Sequence, residues 1–279
     1  MTKDIFHEYA SYPALFWKLV KYKKVLQPQK ISFGCHRTQY FLHFAPTGEA
    51  RNKVVVYIHG GGWNNGSPEF FHFIGQKFAM EGYHCLMLGY RKAPVYRYPA
   101  QIEDVCKGYK TALSYLKKKG IDIRKVIVTG SSAGAHLGAL LCCDMDLQQR
   151  FGINDKRIRG FVGLGGPYFF GGEHTLAFKY LVKGLFDRSC DWKNGEPYSK
   201  LSEVQQIPML LIHSKHDGIV NYHNAVEFFN RAKQLGIKTA FYTVTDENDN
   251  HSSYSAGIFL EDRENSTTLD KLFDWIETI

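Results

Sequence analysis

Short apolar runs recur along the chain from residue 54 onwards, and segments with helical spacing alternate with them. Apolar runs of this length that are rich in β-branched and aromatic residues predict strands, several of them buried on both faces. These runs occupy residues 54–58, 83–88, 126–129, 160–164, 208–212 and 239–244. The helical patterns occupy residues 69–81, 101–119, 133–145, 224–235 and 266–279. This alternation predicts an α/β fold, with a mostly parallel central sheet and helices on both faces.

Three segments lie outside the alternation. Residues 31–46 predict two short strands before the first buried one, since an aromatic run is followed by the turn Pro46-Thr47-Gly48. Residues 1–28 predict a helical extension, because apolar residues are interleaved with lysines. Docking of this extension on the body is favoured over attachment to a membrane surface. Residues 168–206 are too long for a simple loop and predict a small cap insertion. We expect residues 1–279 to form a single domain.

The composition is that of an ordinary folded protein. Apolar residues make up 44% of the chain and charged residues 22%, which excludes disordered, collagen-like and coiled-coil classes. The net charge is +8, but the lysines and arginines are spread along the chain. The densest clusters, at residues 21–24 and 117–119, are too short for a nucleic-acid-binding arm. We therefore predict no nucleic-acid partner; the oligomeric state, with a homodimer as one option, is left open.

Cysteine usage and the first residues bear on compartment and cofactors. The six cysteines include no CxxC pair, so neither a zinc site nor a disulfide framework is predicted. The chain begins with polar and acidic residues where a secretory signal would need an apolar stretch. The longest apolar runs have five residues, far fewer than the roughly 20 that span a bilayer. We expect a cytoplasmic protein that uses no metal and no cofactor.

A candidate nucleophile lies in Gly130-Ser131-Ser132-Ala133-Gly134. This GxSxG motif follows a predicted strand and precedes a predicted helix, the context of a nucleophile elbow. Ser132 is the central serine, and the two glycines leave room for the sharp turn that would expose its hydroxyl. The motif alone is weak, because a serine that caps a helix after a glycine turn would look the same.

A second motif, His59-Gly60-Gly61-Gly62-Trp63, follows the strand predicted at residues 54–58. Consecutive glycines leave backbone N–H groups free to converge on one oxygen atom. Together with the N–H of Ala133, those of Gly61 and Gly62 are predicted to form an oxyanion hole. A flexible loop tip is the alternative, but two motifs in the expected order after two strands favour the catalytic interpretation.

A serine nucleophile needs a histidine base and a carboxylate to orient it, in the chain order serine, acid, histidine. Asp217 follows the strand predicted at residues 208–212, and His251 lies 34 residues further on, after one more helix and strand. We predict the triad Ser132, Asp217 and His251. Weaker candidates are Asp246 and Asp249 for the acid and His213, His216 and His223 for the base.

Two further readings concern binding. Bulky aromatic residues are either pocket walls or core: Trp63, Tyr168, Phe169, Phe170 and Trp192. His213, His216 and Asp217 could suggest a metal site, but their spacing matches no common zinc pattern. The segment Gly163-Leu164-Gly165-Gly166 lacks the Lys-Ser/Thr of a phosphate-binding loop.

The chain from about residue 30 onwards resembles the α/β-hydrolase superfamily, in the branch of hormone-sensitive-lipase-like carboxylesterases and kynurenine formamidases. The resemblance rests on both glycine motifs, on Tyr90-Arg91-Lys92-Ala93-Pro94, on the Pro99–Asp104 segment and on Ala133-Gly134-Ala135-His136-Leu137. It implies an α/β-hydrolase fold, the same triad and oxyanion donors, and a structural role for the Tyr90–Asp104 segment. The acid loop departs from the family by reading His213-Ser214, where many relatives have His-Gly.

The resemblance implies a serine carboxylesterase that hydrolyses small or short-chain acyl esters through an acyl-enzyme. The short insertion at residues 168–206 argues against long-chain triglycerides, and the chain leaves no room for the propeller of prolyl oligopeptidases. Alternatives are an arylformamidase and an acetyl or feruloyl esterase acting on carbohydrate esters. A catalytically silent binding protein with the hydrolase fold is the non-enzymatic alternative. It would normally lack the nucleophile or the base, whereas this chain has candidates for both.

Overall fold

An eight-stranded sheet forms the centre of the computed structural model, which describes residues 3–153, 156–172, 174–187 and 189–279. The strand order is β1-β2-β4-β3-β5-β6-β7-β8. Strands β3 to β8 are mutually parallel, and β2 runs antiparallel to both of its neighbours. The strands are β1 Gln29–Ser32, β2 Tyr40–Phe44, β3 Val54–Ile58, β4 His84–Leu88, β5 Val126–Ser131, β6 Ile158–Leu164, β7 Met209–Ser214 and β8 Thr239–Val244. The predicted fold, a mostly parallel sheet, is confirmed.

Helices cover both faces of the sheet. In β3, Val54, Val56 and Ile58 pack into one apolar core, whereas Val55 and Tyr57 pack into the other. The first core includes residues of α3, α4 and α8, and the second includes residues of α2 and α10. The helices are α1 Lys3–Lys21, α2 His72–Met80, α3 Ala100–Lys118, α4 Ala133–Cys143, α5 Met145–Phe151, α6 Leu176–Leu185, α7 Pro197–Lys200, α8 Tyr222–Gln234, α9 His251–Ser255 and α10 Thr267–Thr278.

The N-terminal helix α1 lies against α9 and the short 3-10 helix Gly257–Leu260. It is amphipathic, and near its end Lys18 pairs with Glu261 at 2.7 Å. Several of its apolar side chains are nevertheless exposed, among them Phe16 and Trp17. Among the described helices, none has the length and apolar character needed to cross a membrane.

The segment predicted as a cap insertion contains α6, a 3-10 helix at Trp192–Gly195 and α7. It is attached to the chain just before α3, since Arg97 Nη1 donates to the Phe186 carbonyl at 2.8 Å and Tyr98 N–H to Leu185 at 2.9 Å. Its helix α6 therefore lies near the carboxyl ends of the parallel strands, where both glycine motifs are found.

Two elements differ from the sequence-based prediction. Helix α5 was not predicted, and α9 begins at His251, where a loop was expected to continue. Both helices are too short, at seven and five residues, for an apolar period to appear. Each begins after a polar cap, because Asp144 accepts from Leu147 N–H and Asn250 from Ser253 N–H.

Candidate active site

Ser132 lies at the tip of a tight turn between β5 and α4. Its φ and ψ angles are 53° and −121°, a backbone conformation that residues other than glycine rarely adopt. The turn is held by Ser132 N–H, which donates to the Leu164 carbonyl of β6 at 2.8 Å. A Cβ atom on Gly134 would lie 1.9 Å from the Ile58 carbonyl oxygen, so α4 approaches β3 at a distance only glycine permits. This is the strained geometry of a nucleophile elbow.

The glycine motif after β3 presents backbone donors beside Ser132. Gly61 and Gly62 have φ angles of +109° and +57°, which glycine adopts without steric cost. Among the described residues, no acceptor pairs with the N–H of Gly61 or Gly62. Ala133 opens α4, so its N–H is one of the donors that a helix start leaves free. Both glycines and Ser132 line the same cavity.

Buried polar contacts hold the glycine motif in place. His59 is fully buried; its Nδ1–H donates to the Gly60 carbonyl at 2.7 Å, and its Nε2 accepts from Lys92 Nζ at 2.9 Å. Lys92 also lies 3.5 Å from the centre of the Tyr90 ring, and Tyr90 Oη donates to the His59 carbonyl at 3.0 Å. Burial lowers the pKa of Lys92 to about 7. The Tyr90-Arg91-Lys92 segment thus fixes the loop that carries the candidate oxyanion donors.

The same segment is tied to α3 by an ion pair between the partly buried Arg91 and the buried Asp104. Arg91 Nε and Nη2 donate to the two oxygens of Asp104 at 2.8 and 2.9 Å, and Arg91 N–H donates at 2.9 Å. The Asp104 side chain is fully buried, and Gln39 donates to it at 2.7 Å. Because every oxygen of the carboxylate is bonded, the pair can be buried without leaving a charge unmatched.

Asp217 and His251 form a buried pair although they are far apart in the chain. His251 Nδ1–H donates to Asp217 Oδ2 at 2.7 Å. The other oxygen, Asp217 Oδ1, accepts from Ile219 N–H at 2.9 Å and from Val220 N–H at 2.7 Å. Asp217 follows β7, and His251 follows β8, the neighbouring parallel strand. The contact fixes the imidazole tautomer, with Nδ1 protonated and Nε2 free to accept a proton.

The pKa values of the pair move in the direction that an acid–base pair requires. Burial alone would raise the pKa of Asp217, but the charges and hydrogen bonds of His251 and His213 lower it below its ordinary value. Burial alone would lower the pKa of His251, but Asp217 raises it above its ordinary value, with a further contribution from Glu8. Asp217 therefore stays ionised and stabilises the imidazolium form of His251.

Three neighbours of this pair were not predicted from the sequence in that role. Tyr254 Oη donates to Asp217 Oδ2 at 2.6 Å. His213 Nε2 lies 3.3 Å from the same oxygen and 3.0 Å from the Val220 carbonyl. Glu8 of α1 accepts from the backbone N–H of His251 at 2.7 Å. Only Tyr254 left a local signal as a neighbour, since it lies three residues after His251 and so on the same side of a short helix.

The comparisons with known proteins agree with this architecture. A family profile described as "alpha/beta hydrolase fold" matches residues 55–164, which include both glycine motifs, and one described as "Prolyl oligopeptidase family" matches residues 179–279, which include Asp217 and His251. The chain has the α/β-hydrolase fold. One match thus contains the two glycine motifs, and the other contains the Asp217–His251 pair.

Among curated relatives of this chain is "Esterase LipC" of Mycobacterium tuberculosis, 28% identical over 203 residues, or 68% of this chain and 50% of the relative. The chain spans about half the length of the curated relatives it matches. Among solved structures, the esterase of the archaeon Pyrobaculum calidifontis has a TM-score of 0.74 at 18% identity, covering 98% of this chain and 91% of its own. Esterase B of Lactobacillus rhamnosis, inhibited by a tributyrin phosphonate, has a TM-score of 0.76 at 17% identity, with 98% and 93% covered.

The remaining candidates for the acid and the base lie elsewhere in this hydrolase fold. Asp246 caps a turn, accepting from Asn248 N–H at 2.9 Å. Burial and the nearby Asp246 raise the pKa of Asp249, which is the wrong direction for a carboxylate that must stay charged beside a histidine. His223 is exposed on α8, and its backbone N–H bonds to Asn221. None of these residues lines the cavity that contains Ser132 and His251.

That cavity has a volume of about 960 Å³ and lies between α1, α6 and the strand ends. Its lining includes Tyr12 and Phe16 of α1 and Tyr180 and Leu181 of α6. Apart from His251, the described residues that line it carry no ionisable group other than tyrosine hydroxyls. The fold therefore places the candidate nucleophile in a large cavity whose lining is mostly apolar and, apart from His251, carries no basic or carboxylate group among the described residues.

The aromatic residues predicted as pocket walls lie elsewhere. Trp63 and Tyr168 are core residues, 1% exposed each; Trp63 Nε1 donates to His136 at 3.2 Å, and Tyr168 stacks on Phe228 at 4.7 Å.

Phe169 packs on Tyr198 at 4.8 Å, and Trp192 lines, with Phe170, a separate cavity of about 520 Å³. The sequence-based candidates for the pocket walls were aromatic residues near the glycine motif and in the insertion. The cavity walls instead come from α1 and α6, whose apolar residues have ordinary helical spacing.

Proposed function

We propose that this chain is a serine-dependent carboxylic ester hydrolase. The observation that carries the proposal is the buried Asp217–His251 pair at 2.7 Å, which borders the same cavity as Ser132 and the free N–H groups of Gly61 and Gly62. A hydroxyl nucleophile, an oriented imidazole and donors for a negative oxygen are the parts that acyl transfer needs. The names of the relatives, which include esterases and a probable carboxylic ester hydrolase, support this choice.

The residues act in two half-reactions. His251 Nε2 takes the proton of Ser132 Oγ as the oxygen attacks the ester carbonyl, and Asp217 stabilises the imidazolium that forms. The N–H groups of Gly61, Gly62 and Ala133 bind the oxyanion of the tetrahedral intermediate. His251 then gives the proton to the leaving alcohol, which leaves an acyl group on Ser132. A water molecule, deprotonated by His251, releases the acid and restores the serine.

The cavity indicates the class of ester. Its volume of about 960 Å³ exceeds what an acetyl group needs, and most of its lining residues are aromatic, aliphatic or glycine. A charged acyl or alcohol group would lose its hydration against these walls without gaining an oppositely charged side chain. We therefore propose small uncharged esters with an apolar acyl or alcohol group, from short acyl chains upwards. Turnover of N-formylkynurenine or of acetylated sugars would assign the site to one of the alternative reactions.

Labelling and turnover of Ser132 variants test the proposal. Wild-type protein is expected to react with a fluorophosphonate probe and to hydrolyse p-nitrophenyl butyrate. Ser132→Ala is expected to abolish labelling and to lower kcat by about 10⁴-fold or more, because the nucleophile is lost. Ser189→Ala, which changes an exposed serine outside the cavity, is the matched control and should keep both activities. Labelling that persists in Ser132→Ala would contradict the proposal.

A further inference from the structure

Glu8 is buried although it lies on a largely exposed helix. Its exposed fraction is 0%, whereas its neighbours Phe6 and Tyr9 on α1 are 64% and 55% exposed. A carboxylate that is removed from water costs several kcal/mol unless hydrogen-bond donors replace the lost hydration. The contacts of Glu8 are therefore informative about why the chain buries it.

Three donors to this carboxylate come from the start of α9. Glu8 Oε2 accepts from His251 N–H at 2.7 Å. Glu8 Oε1 accepts from Ser252 N–H at 3.1 Å and from Ser252 Oγ at 2.7 Å. The first two of these donors are backbone groups, so they fix the path of the chain through His251 and Ser252 rather than one side chain.

We propose that Glu8 is a positioning residue. It holds His251 in position relative to Ser132 and places a second negative charge near the imidazole of His251. The proposal rests on the function proposed above. Asp217 binds the ring of His251 at Nδ1, and Glu8 binds the backbone of the same residue, so the base is fixed at both ends. A displacement of about 1 Å in such a base can cost about 100-fold in rate.

The contact also joins the cavity wall to the base. Tyr9, Tyr12 and Phe16, on the same helix as Glu8, line the cavity. Docking of α1 therefore completes the substrate cavity and fixes His251 in one step. This explains how a segment 243 residues away along the chain enters the chemistry of His251.

The charges around His251 give the inference a specific signature. The groups that face the His251–Asp217 pair are Glu8 from α1, His213 from β7 and Tyr254 from α9, and Tyr12 of α1 lies beside Glu8. Burial lowers the pKa of His251, whereas Asp217 and, to a smaller extent, Glu8 raise it. Removing the charge of Glu8 should therefore lower the pKa of His251. Since the base must be neutral, the acidic limb of the rate profile should move to lower pH.

The experiment is the pH profile of kcat/KM for p-nitrophenyl butyrate with wild type and Glu8→Gln. The glutamine side chain has nearly the same shape as glutamate, so the substitution removes the charge while keeping one of the two acceptor oxygens; the bond or bonds to the other oxygen are lost with it. We expect the acidic limb of the variant at lower pH than that of wild type. A limb that stays at the wild-type pH overturns the proposal, whatever happens to kcat.

A second pair of variants separates positioning from the attachment of α1. Glu8→Ala removes all three bonds and should lower kcat by about 10- to 100-fold, with a smaller change in KM. Glu261→Gln removes the exposed ion pair with Lys18, another tether of α1 outside the active-site cavity, and should leave kcat and KM near wild type. Equal kcat values for Glu8→Ala and wild type would overturn the proposal. Should Glu8→Ala not fold, the Glu8→Gln profile still decides.

The design keeps the two proposals apart. If wild-type protein neither hydrolyses the ester nor reacts with the fluorophosphonate, the proposed function fails before Glu8 is tested. If wild type is active and Glu8→Gln has the wild-type acidic limb, only the role of Glu8 fails.

Discussion

At the scale of single residues, the carboxylate of Asp217 is the most heavily bonded group of the site. It accepts from His251, Tyr254 and two backbone N–H groups, and His213 lies 3.3 Å away. Hydrogen bonds to a charged group are worth about 1.5–3 kcal/mol each, so these donors offset the cost of its burial. The donors other than His251 also stabilise the negative charge of Asp217. Asp217 therefore attracts the imidazole proton of His251 less strongly than it would without them.

Tyr254→Phe tests this effect of the donors. Without the 2.6 Å bond from Tyr254 Oη, the charge of Asp217 is less stabilised and attracts the imidazole proton more strongly. The pKa of His251 should therefore rise, and the acidic limb of kcat/KM should move to higher pH, opposite to the change expected for Glu8→Gln. Urea unfolding should show a loss of about 1–3 kcal/mol. The measurement is a pH profile combined with urea unfolding.

Tyr83→Phe is the matched control for that experiment. The Tyr83 hydroxyl is also buried, but it has no hydrogen-bond partner among the described residues. Its removal should leave the pH profile unchanged and the free energy of unfolding equal or slightly higher. A shift of the Tyr254→Phe limb to lower pH would contradict the argument that Tyr254 stabilises the charge of Asp217.

The residue scale also shows what a sequence can predict of a site. Ser132, Gly61 and Gly62 lie in contiguous motifs that follow strands, so their local backbone requirements are visible in the sequence. Asp217 and His251 follow from chain order and strand ends. Glu8 leaves no such signal, because an acidic residue in an amphipathic helix is ordinarily solvated and its partners lie 243 residues away.

At the scale of elements, the packing of α4 against β3 sets the position of Ser132. Gly134 lies where a Cβ atom would be 1.9 Å from the Ile58 carbonyl and 2.6 Å from that of His59. Those are backbone atoms, so no side-chain rotation can relieve the overlap. The elbow, the helix behind it and the loop that begins at His59 must shift together if this glycine changes.

Gly134→Ala should therefore lower both stability and activity. We expect a loss of about 3 kcal/mol or more in the free energy of unfolding, since the added methyl group separates two buried elements. Gly184→Ala is the matched control, because this helical glycine of α6 has no heavy atom within 4 Å of the added Cβ. It should be neutral or stabilising by up to about 1 kcal/mol. Urea unfolding measures both, and similar values for the two would refute the packing argument.

The element scale separates strong patterns from weak ones. Strands β3 and β8 begin and end where the apolar runs predict, because fully buried or alternating runs are bounded by turns. Strands β5 and β7 continue by two residues into Ser131 and Ser214, whose polar side chains are buried at the strand ends. Helix α9 carries too few residues for a period, so a cap at Asn250 and tertiary contacts determine it.

At the scale of the whole molecule, charge and cavity are separated. The chain has a net charge of +8, yet the described lining of the 960 Å³ cavity contains no lysine, arginine, aspartate or glutamate. The surface field attracts anions over roughly 10 Å at moderate salt, whereas the described cavity walls offer them no lysine or arginine partner. The long-range attraction of anions to the protein should therefore weaken with added salt, whereas the cost of burying a charged group in the cavity should depend on salt much less.

A series of p-nitrophenyl esters tests this separation. The pentanoate should have a kcat/KM at least about tenfold above analogues whose acyl chain ends in a carboxylate or an ammonium group, because an unpaired charge is costly to bury. At low salt the kcat/KM of the carboxylate ester should exceed that of the ammonium ester. The difference between the two values should become smaller at about 0.3 M salt, because salt screens the field of the protein. Leu181→Lys places a cation next to Gly62, so it should raise the kcat/KM of the carboxylate ester relative to that of the pentanoate. Val95→Lys adds the same charge at an exposed position outside the cavity, so it should leave this ratio of kcat/KM values unchanged. Equal effects of the two variants would show that net charge, and not the cavity, determines the selectivity.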